Sequence, residues 1–180
     1  MQQSETNSIT LEKTTSSIPS GPLSKLQSKW PELYGVLDGL LKELAQEEPS
    51  TGNMDGFHRA IVCGRKVETQ ATMIYNRMSR YLAEARSELI RAKRVYKVAY
   101  QALFADPEAK EFSIKDRERY AKDHLTEEEN KLDDSQNDVQ QLTLYLGCVD
   151  RVIQTVKHYR EDVGRRLKVI DIQHEIGEVN

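Results

Sequence analysis

The chain reads as an all-α protein built on one long antiparallel helical hairpin of coiled-coil type. Flanking the hairpin are a short N-terminal helix and a short C-terminal helical segment, and the whole is expected to self-associate. Three observations predict this. Ala71, Tyr75, Met78, Leu82, Ala85, Leu89, Ala92, Tyr96, Ala99 and Leu103 alternate steps of four and three residues without a miss, the signature of a helical seam facing another helix. A second apolar seam runs from Leu125 through Leu132, Val139, Leu142, Leu146, Val149, Ile153, Val156 and Val163 to Leu167 and Ile170. Only a brief Pro-containing segment, Ala105–Ser113, separates the two, and so short a connection makes the helices antiparallel neighbours.

Composition agrees. Of 180 residues, 38% are hydrophobic and 31% charged, a balance suited to long helices whose outer faces meet water. The few Pro and Gly cluster before residue 65. No apolar run is long enough to span a membrane and no signal-peptide pattern opens the chain. With Cys63 and Cys148 the only cysteines and no metal-type spacing between them, a reducing cytoplasm is the expected location.

Residues 1–22 carry nine Ser or Thr and close on Pro19 and Gly21-Pro22; so little apolar surface predicts a disordered tail. Residues 23–48 form an amphipathic segment whose helix is expected from Pro31 to Glu47, because proline fits a first helical turn where its missing N–H is no loss. Leu33, Leu37, Leu40, Leu41 and Leu44 make one stripe on it. Gly35 and Gly39 weaken the helix, so the stripe needs a surface to cover it. Leu33, Leu37, Leu41 and Leu44 are therefore candidates for binding a protein partner. Pro49–Asn53 acts as a linker, and residues 54–180 make up the hairpin domain.

Asp106-Pro107 should end the first long helix, and Ser113 or Asp116 should cap the next. Thr126 with Glu129 repeats a capping-box pattern, predicting a kink near His124. If the turn centres near residue 109, Arg91, Lys93 and Arg94 oppose Glu127, Glu128 and Glu129, and Lys97 lies near Asp123. Opposite-sign blocks of this kind specify register more than they stabilise it. Gly164 should bend or end the second helix. Beyond it, Leu167, Ile170, Ile172 and Ile176 give a C-terminal piece expected to dock on another subunit.

Motifs for catalysis are missing. His58, His124, His158 and His174 fit no HExxH pattern, Asp171-x-x-His174 stands as a single copy of what a di-iron site needs in pairs, and no phosphate loop or nucleophile elbow occurs. Cys63 beside Gly64-Arg65-Lys66 has cations that lower a thiol pKa, although a half-buried helical cysteine is the plainer reading. No cofactor, metal or catalytic residue is expected.

The net charge of −3 puts any nucleic-acid role on a local patch. Residues 59–86 hold Arg59, Arg65, Lys66, Arg77, Arg80 and Arg86 against Glu68 and Glu84, and antiparallel pairing brings them toward Arg151, Lys157, Arg160, Arg165, Arg166 and Lys168. Residues 105–138 carry twelve acids and six bases, so the turn end is acidic and the open end basic. Such polarity serves either to hold a nucleic-acid backbone or to order subunits head to tail. Arg94-Val-Tyr96-Lys97-Val-Ala-Tyr100 mixes bases with aromatics, as single-strand-binding surfaces do, with Tyr96 also a seam residue.

Residues from about 67 to 177 resemble the UvsY-type recombination mediator proteins of tailed phages. The resemblance is carried by the basic-aromatic stretch Arg91 to Tyr100, by Glu111-Phe112-Ser113 after the turn, by the long second helix, and by Gly164-Arg165-x-x-x-Val169-Ile170-x-x-Gln173. It implies a homo-oligomer that binds single-stranded DNA and helps load a RecA-like recombinase onto DNA covered by a single-strand-binding protein. It also implies that Arg91, Lys93, Arg94 and Lys97 contact DNA and that the piece after Gly164 serves oligomer formation. With Arg77, Arg80, Arg165, Arg166 and Lys168 from the basic end, these form the candidate nucleic-acid surface. The other expectation open from the residues alone is a helical scaffold or adaptor protein that captures its partner through the N-terminal leucines.

Overall fold

The computed structural model describes residues 21–47, 49, 54–106 and 112–178. The expected tail up to Ser20, most of the Pro49–Asn53 linker and Pro107 lie outside the described residues. The described residues form four helices: α1 (Pro22–Gln46), α2 (Met54–Ala105), α3 (Ile114–His124) and α4 (Thr126–Glu178). No strand occurs among the described residues. α2 and α4 form the antiparallel hairpin, each about 80 Å long at 1.5 Å per residue.

The hairpin core follows the two seams. Ala71, Met78, Leu82 and Ala85 of α2 are buried with Leu142, Leu146, Val149 and Val156 of α4. The α2 seam also extends backward through Val67 and Cys63 to a second cluster, in which Phe57 and Ala60 meet Val163, with Leu167 and Ile170 packed against them. Continuing from Val67 at seven-residue spacing, Ile74 and Tyr81 add a row beside the seam that packs in the same cluster as the leucines of α1.

α1 is longer than expected and lies on the hairpin as a third helix. Pro22, not Pro31, takes the first-turn position after Gly21. Pro31 sits inside the helix on its solvent side, where a proline removes one hydrogen bond and costs about 3 kcal/mol. Packing on both sides of it offsets that cost: Leu23 and Leu26 are buried before it, Leu37 and Leu44 after it, and the Trp30 ring lies 4.8 Å from that of Tyr145. Lys25 pairs with Glu84, Glu43 with Lys66 and Glu47 with Arg59, so α1 runs antiparallel to α2. Leu33, Leu40 and Leu41 pack against the same core. The leucine stripe expected to bind a partner is thus covered by the chain itself.

Of three local expectations, one holds and two change. The Ser113 hydroxyl caps α3 as foreseen, accepting the Asp116 N–H at 3.3 Å and donating to the Asp116 carboxylate at 2.5 Å. Thr126 does not cap α4. Its hydroxyl donates to the Lys122 carbonyl at 3.2 Å, while the Glu129 N–H bonds to Leu125, so the break near His124 is a slight interruption at Leu125. Gly164 neither bends nor ends the helix. α4 runs unbroken to Glu178, because a helical glycine costs only about 1 kcal/mol and Val163, Leu167 and Ile170 keep their spacing against Phe57.

Register differs too. A symmetric turn at residue 109 sets Arg160 opposite His58 and Tyr96 opposite Lys122. In the structure Arg160 lies against Gly64 and Glu68, and Glu129 is the charge felt by Tyr96. The separate helix α3 moves the centre of the bend toward Ser113 and slides α4 along α2.

Candidate nucleic-acid interface

α2 builds the candidate surface. Its seam residues turn Ala85, Leu89, Ala92, Tyr96 and Ala99 inward, which leaves Arg77, Arg80, Arg86, Arg91, Lys93, Arg94 and Lys97 exposed on the remaining faces. Among the described residues, none of these seven has an ion-pair partner within 4 Å. Between Arg77 and Lys97 the only acids are Glu84 and Glu88, and Glu84 is 4.0 Å from Lys25. The stretch is therefore cationic in a chain whose net charge is −3. Arg77 and Arg80 recur as Arg91 and Arg94 fourteen residues on, so two arginine pairs are set about 21 Å apart along one helix.

Arg165, Arg166 and Lys168 do not join this row. They are exposed near the other end of the hairpin, level with the first turns of α2, roughly 50–60 Å from Arg91–Lys97 at 1.5 Å per residue. The basic open end is also less basic than the sequence suggests. Glu47 takes Arg59, Glu43 takes Lys66, Glu68 takes Arg160, and Asp162 takes Arg166. Of those acids Glu43 lies in α1 and Glu47 caps its C-terminal end, and the sequence did not reveal the placement of α1 on the hairpin.

An aromatic ladder continues the cationic row. The Tyr96 and Tyr100 rings stack at 6.1 Å and the Tyr100 and Phe104 rings lie 4.6 Å apart. Phe104 was missed as a site residue, although its spacing from Tyr96 and Tyr100 was the available signal. Partial burial and the nearby Glu129 raise the Tyr96 phenol pKa, so the ring stays neutral and its face apolar. Phe112, just before α3, forms a second short stack with Tyr120 and His124 of α3, with ring centroids 5.5 and 4.0 Å apart.

Of the residues assigned to oligomer formation, Leu167 and Ile170 pack on Phe57 and Ala60 within the chain. Ile172 and Ile176 are exposed, together with Val169, which the sequence reading had not included. Cys63 is no activated thiol: burial pushes its pKa up, and Glu43 pushes it further in the same direction. No described helix is long and apolar enough to cross a membrane.

Comparison with known proteins found no matching family model, no matching curated protein and no matching solved structure.

Proposed function

We propose that the protein is a non-enzymatic recombination mediator that binds single-stranded DNA without sequence preference and self-associates. The observation that carries this reading is the stretch Arg77 to Lys97, seven exposed cations on the outward faces of α2 without ion-pair partners among the described residues, leading into the Tyr96–Tyr100–Phe104 ladder. Cations spaced along one helix suit the regular charges of a phosphate backbone, and aromatic faces suit unpaired bases of any identity. The resemblance of residues 67–177 to UvsY-type mediators points the same way. It brings in a RecA-like recombinase and a single-strand-binding protein as partners, in the cytoplasm of a host cell.

The adaptor reading loses its element, because the stripe it relies on is covered by α2 and α4. The test is a fluorescence-anisotropy titration of labelled single strands at increasing salt. Binding should be tight at low salt, indifferent to base sequence, and weaken steeply as salt rises. Replacing Arg91, Arg94 and Lys97 together by Gln should make the log–log salt slope shallower by about 2, at roughly 0.7 per phosphate contact. Absence of binding at low salt sinks the reading.

A further inference from the structure

α1 lies in the furrow between α2 and α4 but does not fill it. It begins at Gly21, beside the Asp138 carboxylate, while the two long helices continue for many residues beyond. Past that point the furrow stays open as a groove of about 490 Å³. Ala92 and Val95 line its floor; Glu88, Asp134 and Asp138 stand on its rim. It adjoins, at Asp138, the slot that holds α1. Of the two cations that line the groove, Lys131 is taken by Glu127 at 2.6 Å and Arg91 has no ion-pair partner among the described residues, so the acids Glu88, Glu128, Asp134 and Asp138 outnumber the free base. Burial first, and then the neighbouring Asp134, hold the Asp138 carboxyl above its ordinary range.

At the opposite end of the molecule α4 carries a complementary surface. Arg165, Val169, Ile172 and Ile176 recur at steps of four, three and four, which makes one face, turned away from the Leu167 and Ile170 that pack on Phe57. Val169 and Ile172 are each 54% exposed. Arg165 and Lys168 have no ion-pair partner among the described residues. From Arg165 to Ile176 the face is about 17 Å long, and the Glu128–Asp138 wall of the groove about 15 Å.

We infer that the groove receives the Arg165–Ile176 face of a second copy of this chain, so that subunits assemble head to tail. The apolar side chains meet Ala92 and Val95, and the basic head of the face meets Asp134 and Asp138. Donor and acceptor are different surfaces at opposite ends, so the contact is heterologous and propagates into a ring or a filament. This inference deepens the self-association half of the proposed function and rests on it, but it does not require nucleic acid.

Two substitutions at exposed positions test it by light scattering: Val95→Glu disables the acceptor and Ile172→Glu the donor. Wild-type chain should form assemblies, and each variant alone should be monomeric with unchanged helical circular dichroism. An equimolar mixture should stop at the dimer, because only one intact contact remains. A monomeric wild type, a single variant that keeps the full assembly, or a mixture that stays monomeric overturns the inference. Should a variant fail to fold, Val95→Cys and Ile172→Cys in a Cys148→Ser background give the answer. A disulfide forming only when the two are mixed supports the contact, and crosslinking of either with itself, or none, refutes it. Assembly without DNA binding would sink the mediator reading alone; DNA binding by a wild type that assembles, with Val95→Glu and Ile172→Glu leaving the assembly intact, would sink this contact alone.

Discussion

Arg160 crosses α2 at Gly64. A Cβ placed on that glycine would stand 2.6 Å from Arg160 Cγ and 2.9 Å from Cδ. The arginine has little freedom to retreat, because its guanidinium is held by Glu68 one turn along. This crossing explains how a cation can interrupt the apolar seam of α4 between Val156 and Val163: the interruption faces a residue without a side chain.

Gly64→Ala should therefore destabilise the protein, although alanine is the better helix former by about 1 kcal/mol. Overpacking of this kind costs ~1–3 kcal/mol, and urea unfolding should show a net loss. In an Arg160→Ala background the same replacement should be neutral or stabilising. Equal effects in both backgrounds would mean that the contact does not set the fit.

The Asp138 carboxylate accepts a hydrogen bond from the Leu23 N–H and so caps α1, whose own Gly21 offers no side-chain cap. Asp138→Ala should lose the cap, worth about 1 kcal/mol. Asp138→Asn keeps an oxygen in place and removes the charge. The Asp138 pKa is raised in the fold by burial and by Asp134. The folded state thus takes up a proton more readily than the unfolded chain, and the ionised carboxylate opposes folding above that raised pKa. As pH falls through it the penalty disappears. Asn should therefore match or exceed the wild type at pH 7 and lose that advantage at acid pH, as measured by paired thermal melts.

Leu37 is 3% exposed and Val36 beside it 49%. Truncating Leu37 to Ala should cost about 2–5 kcal/mol, whereas Val36→Ala should fall within about 0.5 kcal/mol of wild type. If α1 were a free docking helix, both replacements would leave the unfolding curve unmoved. Chemical denaturation of the two variants separates the cases.

Much of this architecture was legible in the sequence. The Ala71–Leu103 spacing marked the face of α2 that meets α4, and Ser113 marked the start of α3, because both are local patterns with a direct geometric meaning. What stayed hidden was tertiary. Nothing in the α1 sequence says that its leucines close on the same chain and not on another protein, and a mid-helix Pro31 argues locally for a later start. Register was misplaced because α3, an extra helix inside the bend, is short and polar. For the candidate interface, the seven cations were readable as charge, but Glu43 and Glu47 reached Arg59 and Lys66 only once α1 was placed. Val169 escaped because an outward stripe is recognised only when the inward one is known.

Because α1 begins beside Asp138, only half of the hairpin is braced by a third helix. Beyond Ala85, α2 has no fully buried side chain among the described residues, and the α3 end contributes only Ala121 and Leu125. Amide protons there should exchange through openings far smaller than global unfolding. The braced half acts as a fixed base and the distal half as a compliant arm. Arg91, Arg94 and Lys97 ride on the compliant part, where a helix can bend to follow a ligand while the packing around Phe57, Met78 and Leu142 stays intact.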